Sequence, residues 1–69
     1  MAGPLKVGIV GLGKMGDIRA NAIRKRNDVV LVSGTDPSPP SSGFEDVELL
    51  DSYQAVINSD IDAVFVCTP

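Results

Sequence analysis

Residues 5–16 read LKVGIVGLGKMG, a short apolar run that stops abruptly at three glycines spaced G-x-G-x-x-G. Val7, Ile9 and Val10 favour extended chain, and an apolar run cut off by glycine is how a buried strand ends in a tight turn. From Lys14 to Asn27 the spacing becomes helical. Met15, Ile18, Ala22 and Ile23 form an apolar stripe, while Asp17, Asn21, Arg24 and Lys25 face outward. Arg24, Lys25 and Arg26 fall in the last turn, where positive charge suits the helix dipole, and Asn27 is a suitable stop. A second apolar run, Val29–Val32, continues to Thr35 and ends at Asp36. Strand, helix and strand in this order make a βαβ unit, which requires a parallel sheet.

Further along, Pro37–Asp46 (PSPPSSGFED) is loop, because three prolines, three serines and a glycine exclude a regular helix. Val47–Leu50 makes a short third strand. Asp51, with Gln54 three positions later, has the form of a capping box opening a short helix through Asn58. Ala55 and Val56 or Ile57 supply the apolar side of that helix. Asp60 and Asp62 bracket a turn with no partner nearby, and Ala63–Cys67 (AVFVC) is a continuous apolar strand. Strands apolar on both faces belong in a parallel sheet covered by helices. The expected fold is therefore α/β, a parallel sheet in the order 3-2-1-4 with flanking helices.

Composition narrows the function. With 69 residues, 43% hydrophobic and 22% charged, the chain supports one small core and no second domain. A net charge of −3 disfavours nucleic acid, which calls for a basic face. The absence of histidine removes Ser-His and Cys-His nucleophile pairs and histidine zinc sites, and the single Cys67 excludes a disulfide framework. No stretch approaches the ~20 apolar residues of a membrane span, nor does residue 1 open a signal peptide. A cytoplasmic location without a membrane partner is expected.

The glycine turn carries a specific chemistry. Gly11 allows the tight turn out of the strand. Gly13, having no side chain, lets a pyrophosphate approach the backbone, and Gly16 lets the helix pack close to the sheet. The phosphates then meet N–H groups at the positive end of the helix dipole. Such a site also asks for an acid about 20 residues on, at the end of the next strand, to bind ribose hydroxyls. Asp36 occupies that position. Two features thus agree on a dinucleotide, and the fold is of the Rossmann type. The bland alternative for Asp36 is a turn-forming Asp before Pro37. Its charge opposes a 2′-phosphate and no Arg or Lys follows, which favours NAD over NADP.

Other patterns are weaker. Gly8 to Lys14 also spells G-x-x-x-x-G-K, but Met15 stands where a P-loop places Ser or Thr, and Gly8 lies within the strand. Lys14 is placed either near the pyrophosphate or in a solvated first turn. Arg19, Arg24, Lys25 and Arg26 read as a solvated helix surface, and Cys67 as a small, mostly buried residue ending a strand.

VGIVGLGKMG at Val7–Gly16, TDP at Thr35–Pro37, DSYQAVINS at Asp51–Ser59 and IDAVFVCTP at Ile61–Pro69 together resemble the Gfo/Idh/MocA oxidoreductases. The last segment is the most particular of these. The resemblance implies hydride transfer between a nicotinamide cofactor and a sugar, polyol or related alcohol. It also implies cofactor contacts at Gly11, Leu12, Gly13, Lys14, Met15, Gly16 and Asp36, and at Cys67, Thr68 and Pro69 where the fourth strand ends. The family's catalytic lysine, in a Glu-Lys-Pro motif, and its substrate domain lie outside these residues, so residues 1–69 correspond to the first part of the NAD(P)-binding domain. The chain departs from the family in its proline-rich loop, where members usually carry a helix, and at Arg19, often histidine. A non-catalytic module sensing NAD(H) or another adenine nucleotide is the alternative. A fourth strand left at the sheet edge predicts a marginally stable chain that associates with copies of itself.

Overall fold

The computed structural model describes residues 3–38, 40 and 42–67. Its elements follow the order β1 (Leu5–Val10), α1 (Lys14–Arg24), β2 (Val29–Thr35), β3 (Glu48–Leu49), α2 (Tyr53–Ile57) and β4 (Ala63–Val66). All strand pairings are parallel, and the sheet runs β3-β2-β1-β4, the order expected from the sequence. The reversal of order at β1 makes the carboxyl end of that strand the switch point, where a crevice opens between the crossovers. Val10 lies opposite Thr35 on one side and Val66 on the other. Three strand ends therefore meet where the glycine turn begins.

Alternation along β1 sorts the two faces. Val7 and Ile9 point to one side and join Leu12, Ala20, Ile23, Leu31, Phe44 and Val47 in a single buried cluster. Gly8 points to the other side, where a Cβ would lie 2.6 Å from Val56 Cγ1 and 3.0 Å from Ser33 Oγ. The lack of a side chain at Gly8 is what lets α2 settle onto β1. Ser33, fully buried, shares a hydrogen bond with Ser59 Oγ at 3.0 Å, so its hydroxyl is satisfied under α2.

The buried face of α1 differs from the stripe expected from the sequence. Gly16, Ala20 and Ile23 face the sheet, whereas Met15 and Ile18 stand 54% and 52% exposed and Ala22 is exposed as well. The reason is close approach. At the glycine turn only a residue without a side chain fits against the sheet, and the small residue four positions later continues that line. The larger apolar residues rotate to the flank. The helix also ends earlier than expected, at Arg24 with Lys25 as C-cap; Lys25 N and Arg26 N donate to Ala22 O and Ile23 O, a tightened final turn.

At the end of the proline-rich loop, two apolar residues, Phe44 and Val47, are buried. Arg24 holds them there. Its guanidinium donates to Asp46 Oδ1 and Oδ2 at 2.8 and 3.0 Å and to Gly43 O at 2.8 Å, and it stacks over the Phe44 ring at 5.3 Å. Just beyond this tether comes β3, which is exposed and pairs with β2 at Ser33↔Glu48 and Gly34↔Leu49. It is two residues long, shorter than the expected Val47–Leu50.

Two local expectations are corrected. The cap of α2 is Ser52, whose hydroxyl accepts from Ala55 N at 3.1 Å; Asp51 lies one residue outside, so the Asp51–Gln54 capping box does not form. Nor is the turn at Asp60 and Asp62 without a partner. Lys6 donates to both, through Nζ to Asp60 at 2.7 Å and through its backbone N to Asp62 at 2.9 Å, which ties the start of β4 to β1. The Asp60 carboxylate accordingly raises the pKa of Lys6.

β4 is exposed along its whole length although its sequence reads as a strand covered on both faces. α1 and α2 pack over β1 and β2, and β4 stands at the sheet edge beyond them. Among the described residues, the one aromatic contact reaching it is Arg19, stacked 5.4 Å from the Phe65 ring centroid.

Candidate functional site at the carboxyl ends of the strands

The site is built from the backbone. β1 leaves the sheet at Val10, and Gly11 takes φ +98°, a left-handed conformation that a side chain disfavours. Gly11 N donates to Thr35 O at 2.8 Å, fastening the turn to the end of β2. Leu12 then folds inward and is buried. Its methyl groups lie over Gly34, where a Cβ would approach Leu12 Cδ2 to 3.1 Å. Of the expected contact residues, Leu12 therefore offers its main chain and not its side chain.

Gly13 is the N-cap of α1 and has an extended backbone, with φ −75° and ψ −151°. A Cβ built on it meets nothing within 4 Å. A Cβ on Gly16, by contrast, would lie well inside contact distance of the Gly11 carbonyl oxygen. The fold thus requires glycine at positions 11 and 16, and places no such demand on position 13. Asp17 N donates to Gly13 O at 2.8 Å and begins the helical ladder. The amides before it have no partner within the helix, and they face outward at its positive end together with the exposed Lys14 and Met15. An anion is the species such an arrangement attracts.

Asp36 closes the other side. Its Oδ1 accepts from Ser38 N at 2.8 Å, which is the turn-forming role anticipated for an Asp before proline. Its Oδ2 accepts from Leu12 N at 2.7 Å, a contact that sequence spacing does not reveal. Behind it, Thr35 Oγ1 donates to Leu50 O at 2.7 Å. On the far flank Cys67, half-buried, donates through its backbone N to Val10 O at 2.8 Å and so lies beside the turn. Thr68 and Pro69, also expected at this end, fall outside the described residues. Gly11 to Gly16, Asp36 and Cys67 are thereby brought together at one end of the sheet. A broad concavity lies at the opposite end, lined by Pro4, Leu5, Asn27, Asp28, Val30 and Asp62 among others; none of the expected contact residues among the described ones lines it.

A parallel sheet with a glycine turn at its switch point, an anion-attracting helix start and an acid on the second strand defines a dinucleotide-binding type of α/β protein. Comparison with known proteins agrees: the family described as "Oxidoreductase family, NAD-binding Rossmann fold", GFO_IDH_MocA, matches residues 5–69. The chain belongs to this family. It is similar to an inositol 2-dehydrogenase of Rhizobium meliloti (strain 1021), with 33% identity over 72 aligned residues that cover 94% of this chain and 21% of the relative. The chain thus spans about a fifth of the length of that relative. No solved structure gives a significant match. No helix among the described residues is long and apolar enough to cross a membrane.

Proposed function

We propose that these residues hold the adenosine diphosphate half of NAD in an oxidoreductase that moves hydride between the cofactor and a polyol, sugar or related alcohol. The observation that carries the reading is the contrast between Gly13 and its neighbours. Gly11 is explained by its positive φ and Gly16 by the carbonyl it faces. Gly13 has an ordinary φ and open space around it, so the fold alone does not account for the missing side chain; a pyrophosphate lying against the backbone does.

In this reading the outward amides at the start of α1 donate to the phosphate oxygens, with Lys14 beside them, and Met15 and Leu12 contribute main chain only. Asp36 accepts from the adenosine ribose hydroxyls. Cys67 lines the path from β4 toward the nicotinamide half, and the resemblance in sequence assigns Thr68 and Pro69 to the same contact. The bound nicotinamide ring supplies or takes up the hydride. The charge of Asp36, unopposed by a following cation, favours NAD over NADP. A polyhydroxy alcohol as substrate is supported by the resemblance in sequence and by the name of the Rhizobium relative.

The test is an amide-shift titration of the ¹⁵N-labelled chain with NADH and NADPH, with Gly13→Val as control. Saturable shifts should centre on residues 11–16 and Asp36, be weaker for NADPH by about tenfold or more, and vanish in Gly13→Val while its thermal melt stays close to that of the unsubstituted chain. A folded spectrum with no shifts at millimolar NADH would refute the reading.

A further inference from the structure

The Asp36 carboxylate has two backbone partners in the protein alone, and they lie on different segments. Oδ1 accepts from Ser38 N, within its own turn, at 2.8 Å, while Oδ2 reaches 24 residues back to Leu12 N at 2.7 Å. The second contact is partly buried, and a short N–H···O⁻ bond in such surroundings is among the stronger kinds of hydrogen bond. It also falls on the residue that matters for the turn. Gly11 N is held by Thr35 O, and the helical ladder begins with Asp17 N on Gly13 O. Between those two fixed points Leu12 N has the Asp36 side chain as its acceptor. The Leu12 side chain is meanwhile locked over Gly34 in the core.

We propose that Asp36 is a positioning residue for the phosphate turn as well as a ribose ligand. Its carboxylate fixes the Leu12 peptide, and with it the direction in which the following amides of Gly13 and the start of α1 point, before any nucleotide arrives. A carboxylate has about four lone-pair sites. Two are engaged by Leu12 and Ser38, which leaves about two for the neighbouring hydroxyls of a ribose. Held at both oxygens, the carboxylate cannot swing aside for a 2′-phosphate without releasing the turn, so recognition of the sugar and shaping of the phosphate site depend on one group. The functional half of this inference rests on the nucleotide reading above; the hydrogen bond to Leu12 does not.

The experiment has two arms. In the ligand-free chain, a through-bond scalar coupling is expected between Leu12 ¹⁵N and the Asp36 carboxyl carbon. Exchange of the Leu12 amide should quicken about tenfold in Asp36→Ala with Ile9 unchanged, and Asp36→Asn, which keeps one acceptor oxygen, should recover part of the protection. In the second arm, binding of ADP is compared with that of 2′,3′-dideoxy-ADP, which lacks both ribose hydroxyls. A positioning role predicts that Asp36→Ala weakens the dideoxy nucleotide by about threefold or more, and ADP further still, with Asp36→Asn intermediate for the dideoxy nucleotide. Dideoxy-ADP binding that is unchanged or tighter, alongside weakened ADP binding, would reduce Asp36 to a ribose contact and overturn the proposal. So would absence of the coupling together with unaltered Leu12 exchange. Should Asp36→Ala fail to fold, the coupling in the unsubstituted chain decides. If that chain binds neither nucleotide, the nucleotide reading fails, and the first arm still decides whether Asp36 holds the turn.

Discussion

Gly13 and Gly16 sit three residues apart in one turn, and their surroundings predict opposite consequences of the same substitution. A methyl group on Gly16 meets the Gly11 carbonyl, a backbone atom that moves only with the turn. Gly16→Ala should therefore cost about 2 kcal/mol or more, within the range for overpacking a rigid site, read as a lower midpoint in urea unfolding followed by circular dichroism. Gly13→Ala places its methyl group in open space, and the loss of stability should stay below about 1 kcal/mol, the modest effect of an altered N-cap. Its effect should appear in NADH binding. Equal destabilisation by the two substitutions would mean that the turn is shaped otherwise than described. Sequence reasoning assigned different tasks to the three glycines, but only the packing around them separates the two that the chain needs from the one that the ligand needs.

At the scale of elements, the proline-rich loop owes its place to Arg24. The side chain combines a two-oxygen ion pair with Asp46 and stacking on Phe44, and it anchors a segment with no regular structure of its own. Partial exposure of the pair limits its worth, so Arg24→Ala should cost about 1 kcal/mol, mostly by releasing Phe44. Acid should loosen the same anchor. The Arg24 guanidinium, by hydrogen bond first and then by charge, holds the Asp46 carboxyl below its ordinary value. A carboxyl lowered in the folded state contributes stability that is fully present above the unfolded value of about 3.9 and is lost as pH falls through the lower folded value. The Phe44 ring resonances should then be steady at pH 5 and above and move toward exposed values below about pH 4. In Asp46→Asn they should already be displaced at pH 5. Resonances insensitive to both changes would show that Arg24 does not hold the loop. Arg24 looked like one of several solvated cations at the end of a helix, because its partner lies 22 residues away in a segment with no periodicity to fix its place.

For the molecule as a whole, the exposed strand β4 leads to a prediction about the behaviour of this chain in solution. Val64, Phe65 and Val66 are all exposed, Val66 at 69%, and an apolar strand at a sheet edge is a template for pairing with another chain. The chain should therefore sediment with a weight-average mass that rises with concentration. Val66→Lys, which sets a charge on that strand, should shift the distribution toward the monomer with little change in the melt. A monomer at all concentrations before the substitution would show that the exposed strand is harmless.

Most of the architecture was legible because its signals are local. The glycine spacing after an apolar run, the change to helical spacing and the return to β-branched residues dictated β1, α1 and β2, and with them a parallel sheet. The acid at Asp36 followed from its distance along the chain. Other features depend on groups that meet only when the chain is folded. The buried face of α1 was chosen by how closely Gly16 approaches Gly11, and the placement of the loop by Arg24. The exposure of β4 followed from its place at the sheet edge, beyond the strands that the two helices cover, and the grip of Asp36 on Leu12 from strand ends brought side by side. Periodicity reports what one segment prefers, whereas close approach and long-range hydrogen bonds are properties of pairs of segments, and these the tertiary structure alone decided.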